Sequence, residues 1–330
     1  MLNGKESKSC RACYEQEEAG GCSYRQKSFE SHNLSLNDLK NMTELDGSIK
    51  PNIEFIDLKP GKLCNLNCLM CFPELSTGVE SDFIKLGKRD SKTITLTGTQ
   101  HLWSNLKTQS KSLKRVNVSG GEPFINRDLL KYLDFLITSN LNKQIHISLI
   151  SNLNIINDTI LERLMLFDEV SITVSIDGLN KTAEFIRYPI KFSTFDSNLN
   201  KLIEHMKNHS KFNLLINTTC NVYNVHLMNE IFEYVENLKH KVFDHNLHLI
   251  VEPNVLDIIN LPQEYKKQLI EKFQNIINEN EILKEKFQQI VNRLEQSSQS
   301  TSWEIEFKKF NKDYSTLRSF SLDLPFITKV

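Results

Sequence analysis

Six short apolar segments recur along the middle of this 330-residue chain, most of them followed by a stretch with helical spacing. That alternation restricts the fold more than any other feature. The strand candidates are 53–58, 115–119, 145–150, 169–176, 213–219 and 247–251; helical patterns fall at 128–139, 158–167, 196–207 and 225–238. Strand and helix taking turns in this way imply βαβ units, hence the α/β class with a parallel sheet. The stretch 74–113 interrupts the rhythm and reads as an insertion with one helix over 101–109. Beyond Pro262, apolar residues at Leu269, Phe273, Ile276, Ile277, Leu283, Phe287, Ile290 and Leu294 predict one or two amphipathic helices, and 303–314 resumes a helical pattern after a polar break. The expected organisation is a polar, cysteine-bearing N-terminal extension and linker over 1–49, the α/β region over 50–262, and a helical C-terminal extension over 263–330.

Hydrophobic content of 39% and charged content of 25% describe an ordinary globular chain. A formal net charge of −1 gives no electrostatic case for nucleic acid or an anionic membrane surface. No apolar stretch approaches the ~20 residues of a membrane span, and the N-terminus lacks a signal-peptide core. Six of the seven cysteines fall in two clusters, which without an export signal favours metal binding over disulfides and the cytoplasm as the compartment.

The first cluster is Cys64, Cys68 and Cys71, a Cys-x3-Cys-x2-Cys triad in a loop that follows Pro60 and Gly61. Three thiolates from one loop can hold three irons of a cubane cluster and leave the fourth iron open. The alternative is zinc, which usually takes four Cys or His ligands; no His lies in the loop and the nearest downstream is His101. The triad resembles the cluster loop of the radical S-adenosylmethionine (SAM) superfamily. The strand-and-turn segment Ser119-Gly120-Gly121-Glu122 resembles that family's motif for the SAM amino group, its paired glycines permitting close approach of a ligand.

The resemblance implies a partial (β/α)6 barrel, a catalytic 4Fe–4S cluster on Cys64, Cys68 and Cys71, and SAM contacts from Ser119, Gly120, Gly121 and Glu122. It further implies an adenine contact near Met70 and Phe72, although the residue before the third cysteine is often aromatic in the family. Ser151 and Asn152, after the third strand, are expected to offer polar contacts to SAM, or else to serve as a helix cap or turn pair. Ser175 is expected at the ribose and Arg187 at the SAM carboxylate. Asp177, in Asp177-Gly178, reads as a turn residue, and Cys220, His245 and His248 as structural.

The second cluster is Cys10, Cys13 and Cys22, interleaved with Glu17, Gly20, Ser23 and Arg25. This pattern resembles an element of the twitch-type (SPASM/twitch-related) radical SAM proteins, whose extensions can carry auxiliary clusters. A second iron–sulfur cluster, a zinc ion or no metal remain as alternatives. Because longer relatives carry more cysteines ahead of this point, a shortened form or one half of a split pair is expected.

By this resemblance the chain is an enzyme. It would reductively cleave SAM at the cluster to a 5′-deoxyadenosyl radical that takes hydrogen from substrate, with a flavodoxin or ferredoxin as donor. The Ser175-Ile176-Asp177-Gly178 step leans toward a peptide or protein side chain. The alternatives are a small metabolite as substrate, a non-catalytic iron–sulfur electron carrier, and a zinc-stabilised scaffold.

Overall fold

The computed structural model describes residues 7–18, 23–31, 35–49, 52–91, 99–207, 209–238, 242–298 and 302–327. It divides into two compact units, Met1–Ile53 and Glu54–Val330. The smaller unit carries three short helices, α1 (Arg11–Glu18), α2 (Tyr24–Ser31) and α3 (Leu36–Met42). Ser35 begins α3 with a capping box: its hydroxyl accepts from the Asp38 N–H, while the Asp38 carboxylate accepts from the Ser35 N–H.

In the larger unit β1 (Phe55–Leu58) is followed by α4 (Thr77–Lys85) and α5 (Thr99–Gln109). Then come β2 (Arg115–Val118), α6 (Arg127–Thr138), β3 (His146–Ser151), α7 (Asp158–Leu164), β4 (Glu169–Ser175), α8 (Asn180–Ile186) and α9 (Phe192–Met206). β5 (Phe212–Cys220), α10 (Met228–Glu236) and β6 (Asp244–Leu249) complete the α/β part, and α11 (Gln263–Glu279), α12 (Lys284–Glu295) and α13 (Trp303–Arg318) follow. The six strands form one sheet in chain order, every pair parallel, and β1 and β6 are not paired to each other among the described residues. The α/β expectation, with a sheet that does not close, is what the backbone forms.

Strand register explains the core. Ile56 aligns with Val116, Ile147, Val170 and Phe212, and Leu58 with Val118, Leu149, Ile172 and Leu214, so neighbouring strands present apolar side chains in rows. These rows are buried against helix residues such as Leu129 and Leu133 of α6 and Leu199 and Leu202 of α9. Each such side chain contributes roughly 1.5–3 kcal/mol by leaving water. The alternate positions are polar: Asp57, Asn117, Ser148 and Ser171 share one row, and Ser175, Asn217 and Asn246 another. The first segment, 53–58, was expected to be a buried apolar run, whereas β1 carries Asp57 and is exposed at alternate positions.

Three element expectations change. The insertion 74–113 holds α4 as well as α5; α4 starts at an N-cap, Ser76, whose hydroxyl accepts from the Val79 N–H. The short helix α8 was not anticipated. β6 lies at Asp244–Leu249, ahead of the expected 247–251, because Asp244, Asn246 and His248 hide the strand behind alternation. Beyond the sheet, Phe287 of α12 packs against Phe273 of α11 (5.1 Å between ring centroids) and Phe232 of α10 (5.4 Å), which binds the C-terminal helices to the core. No described helix is long and apolar enough to cross a membrane.

His245 is buried in this core. Its Nε2 lies 2.8 Å from the Thr218 hydroxyl, its ring packs on Phe232, and burial lowers its pKa to about 3. The unfolded chain takes up a proton at this residue below pH ~6.5 and the native state does not, so stability is lost as pH falls from about 6.5 toward 3. Between pH 7 and pH 5 this amounts to at most about 2 kcal/mol. Urea unfolding at the two pH values should show that much less pH dependence in His245→Gln than in wild type.

Candidate metal and cofactor site

The cysteine loop, between β1 and α4, has no regular structure of its own and is held by backbone bonds to other elements. The Asn67 N–H donates to the Tyr188 carbonyl (2.6 Å) and the Leu69 N–H to the Ile186 carbonyl (2.9 Å), which fastens the loop to the end of α8. The Thr77 hydroxyl spans the Cys64 N–H and carbonyl, each at 3.3 Å, and the Ser76 hydroxyl donates to the Leu66 carbonyl (3.0 Å). Leu66 and Leu69 anchor the loop in the core, and Cys64, Cys68 and Met70 pack against it while remaining partly exposed. Phe72 is 45% exposed.

All three thiols are free. Burial pushes the pKa of Cys64 and Cys71 up and that of Cys68 up to about 12. Ionising three clustered thiols in this setting calls for positive charge. Among the described residues no group of three or more His, Cys, Asp or Glu side chains is gathered around a single ion point. The donor set is three soft sulfurs on one loop, which suits an iron–sulfur cluster whose irons are ligated one sulfur each. The residues present therefore fit such a cluster.

Beside the loop stands the turn after β2. Gly120 and Gly121 take left-handed φ angles of +77° and +62°. The close approach that the glycines permit is to the cysteine loop itself. A Cβ on Gly121 would lie 2.3 Å from the Leu63 carbonyl oxygen, and one on Gly120 would lie 3.1 Å from Lys59. The Glu122 N–H donates to that same Leu63 carbonyl (2.9 Å) and the Gly121 N–H to the Leu75 carbonyl (3.3 Å).

Glu122 is 2% exposed. Its Oε1 accepts from the Ser151 hydroxyl (2.8 Å) and the Phe124 N–H (3.1 Å), its Oε2 from the Asn152 N–H (2.8 Å). Burial raises its pKa, and those three donors oppose the rise. Asn152 donates through Nδ2 to Asn65 Oδ1 (2.9 Å), with Cys64 Sγ 3.8 Å away. Ser151 and Asn152 do form a turn pair, accepting from the Leu153 and Asn154 N–H groups (2.9 Å each), and they also bind the Gly-Gly-Glu turn and the cysteine loop together. Ser119 is tied to β1 through its N–H to the Leu58 carbonyl (2.8 Å).

Ser175 ends β4, half-buried. Two residues on, Asp177 is buried and paired with Arg187, while its other oxygen accepts from the Thr219 N–H (2.6 Å). Asp177 is therefore an ion-pair partner and not a turn residue. The Arg187 Nε is buried without a hydrogen-bond partner among the described residues. Burial works against the charge on Arg187, but Cys68 and Asp177 outweigh it and its pKa is raised.

Two further cations surround the loop. Lys62 pairs with the buried Glu80 (2.8 Å). Arg318, at the end of α13, donates through Nη2 to the Asn67 carbonyl (2.9 Å), and burial lowers its pKa to about 10. The helical pattern expected over 303–314 extends in α13 to Arg318, the end of a loosely spaced Asp313-to-Arg318 pair. Cys220, at the end of β5, is fully buried, and Glu252 is exposed.

In the smaller unit the Glu17 carboxylate accepts from the Ser23 hydroxyl and the Arg25 guanidinium, and Arg25 lies 5.0 Å from the Tyr14 ring. The polar residues of the second motif therefore form a knot within that unit. Cys10 and Cys13 are free and half-buried; Cys22 and Gly20 lie outside the described residues.

Two substitutions test this geometry. Gly121→Ala should cost about 1–3 kcal/mol in urea unfolding, from strain at positive φ and the displaced Leu63 carbonyl, and should weaken iron uptake. Asp177→Ala, which strands the Arg187 charge, should cost about 3–5 kcal/mol in the same measurement.

Residues 58–221, about half of the chain, match the sequence model of the radical SAM superfamily. An uncharacterized protein of Methanocaldococcus jannaschii is 31% identical over 123 residues, 37% of this chain and 38% of that protein. Among solved structures, anSMEcpe with bound AdoMet and the Cp18Cys peptide aligns at 18% identity and a TM-score of 0.45, covering 70% of this chain and 62% of that one. Streptococcus suis SuiB bound to the precursor peptide SuiA aligns at 14% identity and 0.47, covering 83% and 60%. The chain spans less than two thirds of the length of each of these relatives. The matched stretch contains the cysteine loop, the Gly-Gly-Glu turn and β2 through β5, and this domain belongs to the radical SAM superfamily.

Proposed function

We propose that the chain is a radical SAM enzyme acting on a peptide or protein side chain. One observation carries the reading: three free thiols stand on a single loop that is hydrogen-bonded to the Gly-Gly-Glu turn, inside the stretch that matches the superfamily. Cys64, Cys68 and Cys71 would hold the 4Fe–4S cluster, and Gly120, Gly121 and the end of β3 at Ser151–Asn152 would border the SAM pocket. Held by these residues, the cluster and SAM would supply one-electron cleavage of the SAM sulfur–carbon bond, releasing methionine, and with it hydrogen abstraction from substrate.

The chain's own residues set the surroundings. Glu122, with three donors already on its carboxylate, holds the cysteine loop, the turn and β3 in register. Arg187 keeps a positive charge beside the thiols, and its buried, unpaired Nε is free to meet a carboxylate. Met70 and Phe72 offer an apolar surface next to the third cysteine.

The substrate class is inferred from the sheet face opposite the helices. Toward the strand C-termini it carries Thr173, Ser175, Asn217, Thr219 and Asn246, joined by Leu215, Asp244 and His248, with no Arg or Lys at these positions. Such a lining matches backbone amides better than phosphates, which call for Arg or Lys. The unpaired sides of β1 and β6 leave the sheet open to a chain-like substrate. A flavodoxin or ferredoxin is the proposed electron donor. The N-terminal Cys10, Cys13 and Cys22 are proposed as part of a second metal site of the twitch type, with an iron–sulfur cluster or zinc.

Electron paramagnetic resonance of the anaerobically reconstituted, reduced protein tests the reading. A cluster signal should change on adding SAM and vanish in Cys64→Ala, and the reduced protein should release 5′-deoxyadenosine. A signal indifferent to SAM would assign the cluster to electron transfer. Coupled modification of a small metabolite, with every peptide inert, would overturn the substrate class.

A further inference from the structure

Arg318 is 3% exposed, at the C-terminal end of α13, and reaches a loop 251 positions earlier in the chain. Its guanidinium is packed between rings, 4.9 Å from Phe185, 4.9 Å from Tyr314 and 5.7 Å from Tyr188. Only Nη2 has a hydrogen-bond acceptor, the Asn67 carbonyl; Nε and Nη1 are buried without one among the described residues. A buried arginine with two idle donors is costly. A purely structural anchor would do better as a methionine or leucine in the same ring cage. The arrangement makes sense if negative charge arrives nearby: Tyr314, Asp82, Tyr223 and Cys68 are the groups whose charge would favour Arg318, and of these Cys68 directly follows the Asn67 carbonyl that Arg318 binds. Asp82, the other acid whose charge Arg318 senses, stands on α4 and pairs loosely with Lys85 at 3.9 Å. The other cations around the loop are engaged, Lys62 by Glu80 and Arg187 by Asp177.

We infer that Arg318 is a positioning residue for the metal centre: it fixes the loop backbone at Asn67 and supplies buried positive charge that favours the reduced, more negative state of a cluster held at Cys68. This rests on the proposed cluster at Cys64, Cys68 and Cys71. A fixed cation in a low-dielectric setting stabilises an added electron, so its removal makes the reduction potential more negative.

The test is an anaerobic redox titration of the full chain after reconstitution, followed by absorbance and by the reduced-state resonance spectrum. It compares wild type with Arg318→Met, Arg318→Gln, Arg318→Lys and Phe307→Leu. Phe307 is buried in α13, so Phe307→Leu loosens the same helix without touching charge. Arg318→Met should shift the midpoint potential to more negative values and alter the spectrum, and Arg318→Lys should shift it less. Phe307→Leu should lower the melting temperature and leave the potential at the wild-type value. If Arg318→Met does not retain a cluster, the neutral, hydrogen-bonding variant Arg318→Gln carries the comparison: a wild-type potential there would reduce Arg318 to a packing residue. A wild-type potential in Arg318→Met, or an equal shift in Phe307→Leu, overturns the inference alone. A wild-type chain that takes up no cluster overturns the functional reading and this one with it.

Discussion

The interlock between two irregular segments carries the rest of the site. The Leu63 carbonyl is the acceptor for the Glu122 N–H and also the atom that any side chain at position 121 would strike. Two pieces of backbone that lack strand or helix pairing thereby satisfy each other, as buried peptide groups must. Glu122 then extends the lock to β3 through Ser151 and Asn152, and Asn152 returns to the loop at Asn65. The cysteine loop is consequently tied to the sheet that flanks it, although it belongs to no regular element.

Charge is the second ordering influence. Lys62, Arg187 and Arg318 are all largely buried around one loop, and each is tied down differently: to a carboxylate of α4, to a carboxylate after β4, and to a backbone carbonyl amid aromatic rings. Burying three cations is unfavourable unless anionic partners answer them. Glu80 and Asp177 answer two. Thiolates on the loop are suited to answer the remainder, and the unpaired guanidinium nitrogens of Arg187 and Arg318 are the visible sign of that imbalance.

Much of this was legible in the residues. The βαβ rhythm gave the parallel sheet, because strands between helices leave period-two and period-3.6 patterns that survive in one sequence. The Cys-x3-Cys-x2-Cys spacing and Gly-Gly-Glu turn were readable because chemistry fixes residue types at short separations. Less could be read where long-range pairing decides. Asp177 looked like a turn because its partner Arg187 lies ten residues on, past a helix that carries no strong apolar signal. The glycines suggested room for a ligand, whereas their nearest obstruction is the chain itself. Asn117, Ser148 and Ser171 lie inside the expected strands, but only the register aligns them into one polar row.

The bond from Arg318 to the Asn67 carbonyl also sets an order of events in the making of the protein. The segment that bears the three cysteines is synthesised early, yet one of its backbone acceptors waits for a donor 251 residues downstream. The sheet and the Gly-Gly-Glu turn can assemble during synthesis, but the loop reaches its final set of partners only when the last helix docks. If the loop takes the proposed cluster, iron and sulfide would meet its settled form only after translation of that helix.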